Sequence, residues 1–229
     1  MLKKPQGNDQ DFSVQDLKIL YEDNHLIAVY KPAGLLVQGD CSGHISLMDL
    51  VKQYIKQKFQ KPGNVFLGLV HRLDRPVEGV ILFAKTSKAA ARLSEQWRSR
   101  RVTKIYWAQI YGQIEPSQGL LQSFLKKEAN KAVIVDNKDE DARPASLSYR
   151  TLAFKKDRSL LEINLLTGRK HQIRVQLAGL GHPIVGDLKY GAPCALPDQS
   201  IRLMAKSLII KHPTRAEVIA IIAPAPQWN

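Results

Sequence analysis

Only two cysteines occur in the 229 residues, Cys41 and Cys194, far apart and in no C-x-x-C pair, so neither a disulfide framework nor a cysteine-built zinc site is on offer. Long apolar runs are missing as well. No stretch reaches the roughly eighteen apolar residues of a membrane helix, and no hydrophobic run follows the lysines of the opening Met1–Ser13. Secretion and membrane spanning are therefore unsupported, and the cytoplasm is the expected address. The chain also lacks G-x-x-x-x-G-K-[ST], G-x-G-x-x-G after a strand, H-E-x-x-H and G-x-S-x-G, which removes support for nucleotide hydrolysis, Rossmann cofactors, zinc proteolysis and serine-hydrolase chemistry. His25, His44, His71, His171, His182 and His212 include no i,i+4 pair, so no metal is expected. Acid is scarce: 21 Asp and Glu face 34 Lys and Arg, a formal charge of +13 whose self-repulsion points to a polyanionic partner, nucleic acid first.

What is present is the balance of a globular chain, 44% hydrophobic and 24% charged, which excludes disorder and collagen. No internal repeat and no Pro/Gly/Ser linker divides it. Leu17–Tyr21 and His25–Lys31 read as a hairpin around Asp23-Asn24. Ser46 with Asp49 three residues on predicts a capped helix, carried by Leu47, Leu50, Val51, Tyr54, Ile55 and Phe59 and stopped by Pro62-Gly63. A second helix is expected over Ser87–Ser99. Val65–Val70, Val80–Lys85, Thr103–Tyr111, Ala132–Val135, Ser146–Phe154, Leu160–Leu165, Leu203–Ile210 and Val218–Ile222 read as strands, many joined by connections too short for parallel crossovers. The fold class is α+β, a mixed but mostly antiparallel central sheet with a few flanking helices. Asp136–Asp141 reads as an exposed acidic turn, kept by repulsion from any RNA-binding face.

Three segments carry charge in patterns suited to chemistry. Asp74 lies between two apolar strands, flanked by Arg72 and Arg75, which favours its ionised form and suits a nucleophile or base; on that segment alone an ordinary charged turn is the better reading. Thr167-Gly168-Arg169-Lys170-His171-Gln172-Ile173-Arg174 follows a strand and opens a helix through Ala178, so Arg169, Lys170 and His171 form a phosphate seat or merely a solvated helix start. Arg92–Lys104 is densely cationic and runs into Tyr106-Trp107, of which one faces a site and the other core.

In order and in detail these segments resemble the RluA-type family of RNA pseudouridine synthases. The motif H-R-L-D-x-x-T-S-G-x-x-x-x-A-K is matched by His71-Arg72-Leu73-Asp74, Gly79 and Ala84-Lys85; Lys104-Ile105-Tyr106-Trp107-Ala108 is similar to K-x-Y-x-A, and Leu166–Ala178 to L-x-T-G-R-x-H-Q-I-R-V-x-L-A. Gly181–Asp187, Tyr190-Gly191 and the opening Tyr21–Asp23 with Lys31–Gly34 extend the likeness over about residues 18–213. Val77-Glu78 replaces the usual Thr-Ser, and a Glu78 facing Asp74 would make Asp74 harder to ionise; Met204 replaces a His between Leu203 and Ala205. Residues 1–17 read as a short polar extension and 18–229 as one catalytic domain, without the S4-type RNA-binding domain of some relatives.

The resemblance implies a pseudouridine synthase catalytic fold that isomerises uridines in ribosomal or transfer RNA, without a cofactor and as a monomer. It implies Asp74 as the catalytic carboxylate, attacking carbon or removing a sugar proton, with Arg174 as its ion-pair partner. Tyr106 would stack on the base and exchange a proton, Leu203 would wall the pocket, and Arg72 would fill the place of the flipped nucleotide. Two other classes are weighed. One is a catalytically inactive RNA-binding module; the other is a hydrolase that pairs Asp74 with Glu78 and releases free uracil.

Overall fold

The computed structural model describes residues 12–40 and 43–228. The expected hairpin forms from β1 (Lys18–Glu22) and β2 (Leu26–Lys31), turned on Asp23, whose Oδ1 accepts the N–H groups of His25 and Leu26 at 2.7 Å each. Helix α1 (Leu47–Lys58) starts at the predicted capping box: Asp49 N–H donates to Ser46 Oγ at 3.3 Å and Ser46 N–H to Asp49 Oδ2 at 3.1 Å. There follow β3 (Gly68–Leu69), β4 (Glu78–Ala84), α2 (Ser87–Arg98), β5 (Thr103–Tyr111), β6 (Gln118–Glu128), β7 (Lys131–Val135), β8 (Arg143–Lys155), β9 (Arg158–Leu165), α3 (Gln172–Gly179), β10 (Leu203–Lys211) and β11 (Val218–Ile222).

Among the described residues the strands make one sheet in the order β1-β2-β4-β10-β5-β9-β8-β6-β7, with β3 added to β4 and β11 to β10. Every pairing is antiparallel except β4 with β10. The α+β class and the mostly antiparallel mixed sheet are therefore as expected. Alternate residues of β2 and β4 point to opposite faces, and both faces are covered: α1 packs Leu47, Leu50, Val51 and Ile55 on Ile27, Val29, Ile81 and Phe83, while α2 packs Ala89 and Leu93 on Leu26, Ala28, Val80 and Leu82. Each fully buried aliphatic side chain here contributes roughly 1.5–3 kcal/mol, and this two-sided burial is why the strands read as unbroken apolar runs. Phe12, Val14 and Leu17 pack on the α1 side of this core. Beneath the other half of the sheet, α3 sets Ile173 and Leu177 against Ala108, Leu147, Leu161 and Ile163.

Two expectations change. Val65–Val70 pairs only through Gly68–Leu69, opposite Ala84 and Phe83; beyond them the β4 edge is met by the His71 side chain at Leu82 and by Met204 and Ala205 of β10 at Glu78 and Gly79. The eleven-residue β6 was not read as a strand. Its Leu120 is 55% exposed and Phe124 also lies outward while Leu121 and Leu125 turn inward, so apolar residues occupy both faces and the sequence shows no apolar-polar alternation.

The parallel β4–β10 contact sits at mid-sheet and is unusually close. Gly79 has φ +121°, and a Cβ there would come within 2.3 Å of the Ala205 carbonyl oxygen, so only glycine lets the two strands meet. This junction places the loop before β4 beside the start of β10.

Candidate active site

That loop carries His71 to Asp74 and forms one wall of a cleft of about 800 Å³, bordered by Leu36–Asp40, the β5 strand, the Gly168–Arg174 segment and Leu203. All eight site residues named from the sequence line it: Arg72, Asp74, Tyr106, Arg169, Lys170, His171, Arg174 and Leu203. Asp74 is 32% exposed, and its Oδ2 accepts Arg174 Nη1 at 3.0 Å. Arg174 is itself 5% exposed and directs its other edge at Asp187, with Nε to Oδ2 at 2.7 Å and Nη2 to Oδ1 at 2.8 Å. Burial works against its charge, but the two carboxylates, Asp187 foremost, prevail and push the guanidinium pKa up.

The neighbours expected to favour the charge on Asp74 do something else. Arg75 donates Nε to the Gly34 carbonyl at 2.8 Å, and Arg72 makes no hydrogen bond or ion pair among the described residues. Counter-charge comes from Arg174, one hundred positions away in the chain. Glu78 does not face Asp74. Its oxygens accept Tyr30 Oη at 2.5 Å and Trp228 Nε1 at 2.8 Å, outside the cleft, so a hydrolase pair of Asp74 with Glu78 has no geometric basis. Met204 is fully buried among Val80, Leu82 and Leu93, behind the cleft wall that Leu203 forms.

Strand periodicity settles which aromatic faces the site. Tyr106 lines the cleft, whereas Trp107 points the other way, its Nε1–H 3.4 Å from Glu162 Oε2 and its ring under Lys206. Burial and then the charge of Asp74 push the Tyr106 pKa up, so the phenol stays protonated, and its hydroxyl has no hydrogen-bond partner among the described residues.

The phosphate seat is built differently from the expectation. Helix α3 begins only at Gln172 and is buried through Leu177, and His171 before it adopts a left-handed conformation with φ 52°. Burial pushes the His171 pKa down to about 4, so the ring is neutral near pH 7, with Nδ1 2.8 Å from the Tyr190 hydroxyl and Nε2 3.5 Å from Asp74. The cleft's positive character comes instead from Arg72, Lys104, Lys127, Arg169 and Lys170, none of them paired with a carboxylate among the described residues.

Sequence reasoning left three residues without roles. Lys31 is fully buried under the Asp74 loop, where its ammonium donates to the carbonyls of Pro32, Leu35 and Arg75 at 2.8–3.1 Å; burial pushes its pKa down to about 7. Asp187 and Tyr190 hold Arg174 and His171. All three lie in stretches quoted for the resemblance, but which buried group each one meets is set by tertiary contact.

His71 has a structural task. Between the short β10 and β3 pairings, Leu82 N–H donates to His71 Nε2 at 3.0 Å, and the ring stacks on Trp97 with centroids 5.1 Å apart. Burial pushes its pKa down from 6.5 to about 4. The unfolded chain takes up this proton first, so His71 erodes stability as pH falls from 6.5 toward 4. His71→Phe keeps the stack and loses the acceptor. We expect it to melt lower than the parent at pH 7 and to lose less between pH 7 and 4; parallel melting curves across that range would contradict this role.

The cationic cleft, lined by the arginine-held Asp74 and by Tyr106 and set at the close contact of two parallel strands, stands on a fold of the pseudouridylate synthase class. The human RNA pseudouridylate synthase domain containing 4 superposes with a TM-score of 0.78 at 28% identity, over 92% of this chain and 89% of that one. A family profile described as RNA pseudouridylate synthase matches residues 25–179. The chain belongs to this family, on its RluA-type branch. It is 34% identical to ribosomal large subunit pseudouridine synthase D of Nitrosomonas europaea over 96% of this chain, and spans 65% of that protein's length. It is also 34% identical to the dual-specificity RNA pseudouridine synthase RluA of Escherichia coli, over 91% of this chain and 93% of that one.

Proposed function

We propose that this chain is an RNA pseudouridine synthase: it breaks the N1–C1′ bond of a uridine within RNA, turns the base and rejoins it through C5, the proton leaving C5 and N1 ending protonated. The observation that carries this reading is the cleft itself, which Asp74 and Tyr106 line together with five cations that have no carboxylate partner among the described residues. Asp74 is the catalytic carboxylate, with one oxygen on Arg174 and the other without a hydrogen bond among the described residues. Tyr106 stacks on the base and enters as an O–H donor, and Leu203 closes the pocket behind it. Because the target base is extracted from a stack at a cost of a few kcal/mol, Arg72, unpaired at the cleft wall, is the residue that takes its place. Arg169 and Lys170 hold phosphates. His171, being neutral, acts by hydrogen bonding rather than by charge.

One relative is named for the ribosomal large subunit and another as dual-specificity, so ribosomal RNA, transfer RNA or both are the substrates in this reading. The named site residues all line a cleft built by one chain, which supports a monomer, and the RNA substrates of this reading put its work in the cytoplasm. No helix among the described residues is long and apolar enough to cross a membrane. The test is incubation with ribosomal and transfer RNA from cells lacking this gene, followed by pseudouridine mapping. New pseudouridine in intact RNA is expected; free uracil, or no new pseudouridine in either RNA, would overturn the reading.

Tyr106→Phe separates stacking from chemistry. It should leave RNA affinity within about twofold and lower single-turnover rate by roughly 10²-fold or more, the usual range for a lost general acid or base. A parental rate would leave Tyr106 as a stacking surface only.

A further inference from the structure

Asp187 opens the short turn Leu188–Tyr190, is 1% exposed, and has both oxygens occupied by Arg174 Nε and Nη2. The same turn places the Tyr190 ring beneath the Arg174 guanidinium, 5.0 Å from centroid to Cζ. Carboxylates and guanidinium groups pair most strongly through two parallel N–H···O bonds. Either fork of the guanidinium, Nε with Nη2 or Nη1 with Nη2, could engage both Asp74 oxygens in that way if Arg174 were free to rotate. Here Asp187 holds the Nε–Nη2 edge and so sets the plane and angle of the guanidinium; of the other edge only Nη1 reaches Asp74, at 3.0 Å on Oδ2, while Oδ1 has no hydrogen bond among the described residues.

We propose that Asp187 is a positioning residue: by holding the Nε–Nη2 edge it fixes the guanidinium at an angle from which Nη1 alone meets Asp74, and leaves the second Asp74 oxygen open to the ribose. The catalytic consequence rests on the isomerase reading above; the orientation of Arg174 does not. Asp187 also shares the counter-charge, so Arg174 steadies Asp74 without fully neutralising it.

Asp187→Asn preserves shape and removes the charge. It is expected to leave RNA binding within about threefold of the parent while single-turnover rate falls roughly tenfold or more, because the loss appears after binding. Asp187→Glu, which keeps the counter-ion, should recover part of the rate. A parental rate in Asp187→Asn would overturn the catalytic claim. Hydrogen exchange at the Arg174 Nε–H, followed by nitrogen NMR, reads the orientation directly. The proton is expected to be protected in the parent and in Asp74→Asn, and exposed in Asp187→Asn. Loss of protection in Asp74→Asn would show that Asp74 fixes Arg174, and would overturn the proposal even if Asp187→Asn failed to fold. Should the parent form no pseudouridine, the isomerase reading fails, and the exchange measurement still decides whether Asp187 orients the arginine.

Discussion

Asp74→Asn should abolish pseudouridine formation while the protein stays folded and still binds RNA. The substitution keeps size and packing but exchanges an anion for a neutral amide, which neither attacks carbon nor removes a proton. Glu78, four positions on, is no substitute, since it is bound to Tyr30 and Trp228 outside the cleft. Nor is a buried charge stranded. Arg174 keeps its two bonds to Asp187, so the stability loss is that of one partly exposed contact, about 1 kcal/mol. Binding is expected to hold or tighten, because a negative charge leaves a surface that faces phosphates. Tritium release from C5-labelled uridine in RNA reads the chemistry, and thermal melting with filter binding checks the rest. Activity within about tenfold of the parent, less than about 1.4 kcal/mol of transition-state stabilisation, would remove Asp74 from the mechanism.

Where local sequence determines local structure, the fold was legible. The Ser46–Asp49 capping box, the turn at Asp23-Asn24 and the apolar runs of β2 and β4 each specify their element without help from distant residues. Legibility ended where a neighbour decides. The edge of β4 is divided among β3, the His71 side chain and β10, and β10 begins some 120 residues beyond β4 in the chain. Likewise β6 earns its place in the sheet through β7 and β8 on its two sides, with few buried side chains of its own.

The site shows the same division. Which residues converge followed from their motifs, and all eight do converge. Their electrostatic states did not follow. Arg72 and Arg75 are close to Asp74 in sequence yet pair with no carboxylate among the described residues, whereas Arg174 and Asp187 pair across folded elements. His171 sits in a cationic stretch and looks like a phosphate ligand, but burial removes its charge. Adjacency in sequence is a poor guide to which charges meet, because side chains of neighbouring loop residues diverge while a buried guanidinium must find carboxylates wherever the fold provides them.

The second large effect belongs to the other end of the ion pair, and it differs in kind. Arg174→Met should lose activity, since Asp74 loses its partner, and it should also lose about 3–5 kcal/mol of stability, because it leaves Asp187 as an uncompensated charge at 1% exposure. For a chain of this size that corresponds to a melting temperature lower by roughly 6–20 °C. Asp74→Asn and Arg174→Met thus remove opposite ends of one hydrogen bond and separate function from stability, because only the arginine has a second, buried partner. Adding Asp187→Leu to Arg174→Met removes the stranded charge and should restore most of the stability and none of the activity. Thermal and urea unfolding of the parent, the single variant and the double variant test this. An Arg174→Met variant within about 1 kcal/mol of the parent, or a double variant no more stable than the single, would show that the buried Asp187–Arg174 pair does not hold this part of the fold as described.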